Sequence, residues 1–184
     1  MSPLWLRCSM RYWVVDTLDS TQAQARRCLD QYGRATSGLV IWARRQTHGV
    51  GQQGRPWVSD PGGIYLTVVQ SVPTARLMKA PTQVPERVAT VCQSVLAAYA
   101  RVWVKQPNDI MVGACKLGGV LCEALGTEDP DTRMVLVGVG LNINQQSIVT
   151  DARHVATSLR QVTGQAYNKA MIVSAIATEI AQCL

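Results

Sequence analysis

The sequence predicts an α+β domain: a mixed, mostly antiparallel sheet with helices packed on one face. Three observations lead there. The chain runs strand, helix, strands, helix, strands, helices, without a regular strand–helix alternation. Its 47% hydrophobic and 16% charged content is enough for a real core and too apolar for global disorder. Its 184 residues suit one domain, so residues 1–184 are expected to form a single unit.

The elements follow in order. RYWVVDT, residues 11–17, reads as a strand, and LDSTQAQARRCLDQYG as a helix with cap oxygens at Asp19, Ser20 and Thr21 and a stop near Gly33. SGLVIWARRQ (37–46) and IYLTVVQS (64–71) are β-branched and apolar, and read as two strands of a hairpin. VPTARLMKAPTQVP is a proline-punctuated connection. ERVATVCQSVLAAYARV (86–102) carries Val88, Val91, Val95 and Ala98 at helical spacing, the buried stripe of a helix. Three strand-like runs follow: VWVKQPNDIMV, broken at Pro107, then CKLGGVLCEAL, then RMVLVGVGLNIN, with the turn GTEDPD before the last. Two helices are expected at the end, over TDARHVATSLRQ and NKAMIVSAIATEIAQCL, joined by the loop VTGQAY.

Between the hairpin strands lies THGVGQQGRPW, residues 47–57, in which Gly49, Gly51 and Gly54 spell G-x-G-x-x-G. A dinucleotide fingerprint must open directly into a helix whose N-terminus meets the pyrophosphate. Here Pro56, Pro61, Gly62 and Gly63 follow, and then a strand. The context excludes that fingerprint, and with it a dinucleotide oxidoreductase. What remains is a glycine-rich loop long enough to wrap a ligand, or an ordinary long hairpin connection.

Composition excludes other classes. A net charge of +6 without a basic run fits an acidic partner or substrate better than nucleic acid. Six cysteines without C-x-x-C, and only two histidines, His48 and His154, leave little for a zinc site and read as free thiols in a reducing cytoplasm. No signal peptide is legible, and no run reaches the ~18 apolar residues of a membrane span. His48 and the pair Arg44 and Arg45 read as surface, and Trp13 and Trp103 as core.

Taken one at a time, DST at 19–21 is a helix cap, KQPND at 105–109 a turn, KLGG at 116–119 a bulge and VGVGLNIN a strand with a polar end. Taken in order, the pattern is more specific. D-S-T, Q-T-x-G-x-G-x-x-G-R-x-W, K-x-P-N-D-I, K-L-G-G-V-L-x-E and G-V-G-L-N-I-N succeed one another between Asp19 and Asn144. This succession resembles the catalytic domain of biotin–protein ligases.

The resemblance implies a two-step reaction. Biotin and ATP, with Mg²⁺, give biotinyl-AMP, and a lysine of a biotin carboxyl carrier protein then takes the biotin. It implies Lys105, Lys116, Asp109 and Arg55 as catalytic groups, with Asp109 one option for a general base. Biotin would meet Ser20, Thr21, Gln46, Gly49, Val50, Gln52 and Gly119. The nucleotide would meet Arg55, Trp57, Asn108, Lys116 and Asn142. The glycine loop would be a lid that shields a hydrolysable acyl phosphate from water.

The sequence departs from the family in three places. Its loop, GVGQQGR, has Val50, Gln52 and Gln53 where arginine is common. Gln106 replaces a tryptophan, and Gln22 replaces an asparagine after S-T. The resemblance further implies neither the N-terminal winged helix nor the small C-terminal β-barrel that many relatives carry, and so no operator DNA. Oligomeric state and metal ligands are left open. A lipoate- or octanoate-handling relative and a non-catalytic biotin or adenylate binder are the alternatives; a polar D-S-T with Q-T-x-G favours biotin over a fatty acyl chain.

Overall fold

A computed structural model describes residues 10–79, 83–148 and 155–184. Seven strands form one sheet: β1 (Arg11–Leu18), β2 (Leu39–Gln46), β3 (Ile64–Pro73), β4 (Val102–Lys105), β5 (Asp109–Val112), β6 (Cys115–Gly126) and β7 (Thr132–Leu141). Their spatial order is β1-β2-β3-β7-β6-β5-β4. Only β1 and β2 run parallel, and every other neighbour pair is antiparallel. The mixed, mostly antiparallel sheet is thus as the sequence predicts. The parallel pair needs a crossover, and α1 (Thr21–Tyr32) supplies it.

Strand periodicity divides the side chains of β3 and β7 between two layers. Ile64, Leu66 and Val68, with Val135, Val137, Val139 and Leu141, face α3 (Gln83–Leu96) and α5 (Lys169–Cys183) in the larger core. Val69, Met134 and Leu136 face the other way and pack with Ile41 of β2 and with Ala25 and Cys28 of α1. The larger helices therefore share one face, as expected, while α1 lies on the opposite face. The reason is local: α1 buries only Thr21, Gln22, Ala25 and Cys28, a narrow stripe that covers one end of the sheet. The rest of that face is left for a pocket.

Several boundaries differ from the sequence reading. The 72–85 connection contains a short helix, α2 (Thr74–Lys79), and α3 begins at Gln83. α3 stops at Leu96, so Ala98 falls in the exposed turn that swings the chain into β4. The first expected C-terminal helix shrinks to α4 (Leu159–Thr163), opened by a capping box between Ser158 and Gln161. Upstream of it, Lys116 N–H donates to Val155 O and Thr157 N–H donates to Lys116 O, which holds that segment extended against β6. The remainder of that expected helix, with His154, lies outside the described residues. Trp13 and Trp103 are 40% and 43% exposed rather than core: they stand on β1 and β4, the two edge strands, where no second neighbour covers them. No described helix is long and apolar enough to cross a membrane.

Candidate active site

The pocket opens on the α1 face, and glycine makes it possible. Gly138 and Gly140 of β7 and Gly119 of β6 line its floor, where alternation would otherwise raise side chains. A Cβ on Gly140 would stand 2.7 Å from the Trp57 indole. The cavity measures about 220 Å³.

One corner of the pocket is polar. Ser20 caps α1, accepting from Ala23 N–H at 3.4 Å, and is itself buried. Thr21 donates to Gln46 Oε1 through both its backbone N–H (2.8 Å) and its hydroxyl (3.1 Å). Gln46 Nε2 then donates to Ser59 Oγ at 2.8 Å, and Ser59 donates to Trp57 O at 3.0 Å. These bonds fix which end of the Gln46 amide accepts. Gly49 is buried behind the corner and does not line the pocket. A side chain there would meet Trp57 O at 2.5 Å, Ser59 Oγ at 2.6 Å and Gln46 Nε2 at 2.9 Å. The glycine lets the loop close over this network.

The other end is cationic. Lys116 Nζ pairs with Asp109 Oδ1 at 2.6 Å, and their side chains are only 22% and 16% exposed. The same ammonium lies 5.5 Å from the Trp57 ring centroid. The buried Trp57 indole N–H meets no acceptor of the protein, so a ligand atom could satisfy it. Asn142 is buried, and its Oδ1 accepts from Gln145 Nε2 at 3.1 Å. Asn108 Nδ2 donates to Val120 O at 3.0 Å, bracing the turn before β5 against β6. Val50, Gln52 and Arg55 of the glycine loop complete the wall. The loop is pinned at its neck, where Gly51 N–H donates to Arg55 O and Trp57 N–H donates to Gly49 O.

Of the residues singled out from sequence, Ser20, Thr21, Gln46, Val50, Gln52, Arg55, Trp57, Asn108, Lys116, Gly119 and Asn142 come together around this pocket. Asp109 reaches it through Lys116. Lys105 does not: it ends β4, exposed, and is not part of the lining. Sequence reasoning missed Thr67, Gly138 and Gly140, all of which line it. Thr67 hydroxyl lies 3.0 Å from Thr21 Oγ1 and 3.1 Å from Gln22 Oε1. A signal was there. Thr67 is the polar interruption of the apolar run IYLTVV, and the glycines of VGVG alternate on a strand.

The sheet-borne pocket thus has a hydrogen-bonding corner at one end and a lysine–indole pair at the other. Residues 14–142 match the Biotin/lipoate A/B protein ligase family, and the chain belongs to that family. The bifunctional ligase/repressor BirA of Bacillus spizizenii is 33% identical over 165 residues, 88% of this chain and 50% of that protein. The biotin–[acetyl-CoA-carboxylase] ligase of Paracoccus denitrificans is 33% identical over 68% of this chain and 51% of its own length. The chain thus spans about half the length of these curated relatives. Among solved structures, the biotin protein ligase from Aquifex aeolicus in complex with biotin and ATP superposes with a TM-score of 0.76 at 26% identity, covering 94% of this chain and 69% of that one.

Proposed function

We propose that the chain is a biotin–protein ligase: it joins biotin to AMP and then passes biotin to a lysine of a biotin carboxyl carrier protein. The observation that carries this reading is the pairing of two unlike ends in one pocket. The corner of Ser20, Thr21 and Gln46 offers hydroxyls and an oriented amide to a neutral polar ring such as a cyclic urea. The Lys116 end offers a cation where an acid and a phosphate must meet. Binding of biotin and ATP by the Aquifex aeolicus relative supports it.

In the first step a biotin carboxylate oxygen attacks the α-phosphorus of ATP, and pyrophosphate leaves. Two anions approach each other, and negative charge grows on the phosphoryl oxygens. Lys116, held by Asp109 and partly shielded from water, stabilises that charge without having to reorganise. Arg55 adds a second cation from the loop. Trp57 gives a flat face for the base, and its unpaired N–H awaits an acceptor. In the second step the carrier lysine, as a free amine, attacks the acyl carbon and AMP departs. Asp109 then serves as a positioning residue through Lys116.

No three His, Cys, Asp or Glu side chains gather into a metal site among the described residues. A Mg²⁺ requirement fits a cation carried chiefly by the phosphate oxygens of ATP. Its chemistry would be charge neutralisation on the phosphates, with Asp109 the carboxylate linked to the pocket. The free cysteines suit a cytoplasmic setting.

The test is exchange of labelled pyrophosphate into ATP with Mg²⁺, run with biotin and in parallel with lipoate. Exchange with biotin alone is expected. Exchange with lipoate alone would move the protein to the lipoate branch of the family. Biotin binding without exchange would make it a binder without chemistry.

A further inference from the structure

Gln22 lines the pocket, yet the protein itself engages both ends of its amide. Its Nε2 donates to Glu123 Oε2 at 2.7 Å and lies 3.4 Å from Leu136 O, and Thr67 hydroxyl reaches its Oε1 at 3.1 Å. Glu123 is held in turn by Arg26 at 2.9 Å. The side chain is 8% exposed. It lies across Gly138, where a Cβ would meet its Oε1 at 2.8 Å. A side chain so tethered does not move aside readily for a ligand.

Its place along β7 gives the tether a purpose. Gly140 under Trp57 and Gly138 under Gln22 are two residues apart, about 7 Å on the strand. The next residue on that face is Leu136, fully buried against α1. The glycine floor therefore ends at Gln22, opposite the Lys116 end.

We propose that Gln22 is the end wall of the acid pocket: pinned between Thr67 and Glu123, it sets the longest acid the site accepts and bars longer straight acyl chains in favour of a compact ring. This rests on the acid-activating reading above and deepens it. The wall works by bulk, because its own polar atoms are already committed.

Straight-chain fatty acids serve as rulers. Binding of hexanoate, octanoate, decanoate and dodecanoate to the whole protein is measured by calorimetry. Affinity is expected to rise about four-fold per methylene, the usual value of a buried CH₂, until the chain meets Gln22, and to rise no further. In Gln22→Ala the break is expected to move out by about two methylenes, favouring the longer acids by about fifteen-fold relative to biotin. Gln22→Leu keeps the bulk without the amide and is expected to leave the break in place.

An unbroken rise through dodecanoate in the unsubstituted protein overturns the proposal, and this arm needs no variant to fold. So does an unmoved break in a Gln22→Ala protein whose melting shows it folded. A break that moves equally in Gln22→Leu also overturns it, because hydrogen bonding rather than bulk would then set the limit. Biotin-dependent exchange with an unbroken series sinks this inference alone. A clean break without exchange sinks the ligase reading and leaves the wall standing.

Discussion

Lys116 and Gly49 show how differently single residues serve this site. Lys116 acts by charge: Lys116→Gln should lower the rate of biotin-dependent pyrophosphate exchange by about 10²–10³-fold, the usual loss of a preorganised charge-stabilising group. Biotin affinity, read by calorimetry, should change far less. Gly49 acts by absence. Any side chain there strikes the Trp57 carbonyl oxygen, the Ser59 hydroxyl and the Gln46 amide within 3 Å, so Gly49→Ala should weaken biotin by at least about ten-fold by splaying the network of Thr21, Gln46 and Ser59. Retention of full biotin affinity in Gly49→Ala would show the loop free to shift. Such residues were legible from sequence to different degrees. Lys116, Thr21 and Gln46 lie in recognisable short motifs. Thr67, Gly138 and Gly140 act only through the phase of strand alternation and the register between β3 and β7, which sequence order does not supply. Lys105 was drawn in by its motif, while the geometry leaves it on an exposed strand end.

Two elements, α1 and the glycine loop, carry their own consequences. The start of α1 is tied down by Arg27, which makes two contacts to the Asp19 carboxylate at 2.7 and 2.8 Å. The Arg27 guanidinium holds the Asp19 carboxyl down at about 2, below the 3.8 of a free side chain. A carboxyl lowered on folding contributes stability that is present above the unfolded value near 4. That contribution is lost as pH falls through the folded value near 2. The pair is half exposed, so it contributes roughly 0.5 kcal/mol. Urea midpoints should show a matching loss for Arg27→Ala at pH 6 and a smaller one at pH 2, where the folded carboxyl is half protonated. The loop places one cation, Arg55, among glutamines at 52 and 53. With so little charge to hold an acyl-adenylate, free biotinyl-AMP should escape before transfer, readily detected by chromatography of single-turnover mixtures. Gln52→Arg should reduce that escape, and tight retention by the unsubstituted loop would refute it. The strands were largely visible in the sequence because alternation and β-branching survive any context. The helix ends were not: Leu96 ends α3 where the chain must turn into β4, and hydrogen bonds to Lys116 hold 155–157 extended, both tertiary demands.

At the scale of the molecule, the larger core between the sheet and helices α3 and α5 contains Cys92, with Cys122 and Cys183 packed against it. Burial pushes the Cys122 thiol up to about 12 and the Cys92 thiol further still. Thiolate is the reactive form, so Cys92, fully buried, should not alkylate at pH 8 in the folded protein. It should label at a rate set by global opening, and saturating biotin with ATP should slow it. Rapid labelling of Cys92 alone would mean that α3 detaches independently. The division of the sheet has a further consequence. On β7, residues 135 and 137 hold the protein together, while 138 and 140 look into the pocket. A lineage carrying this sheet can trade one acid for another by altering the second set and leave the first untouched. Ligand choice and folding are thus free to be inherited, and to drift, as separate traits.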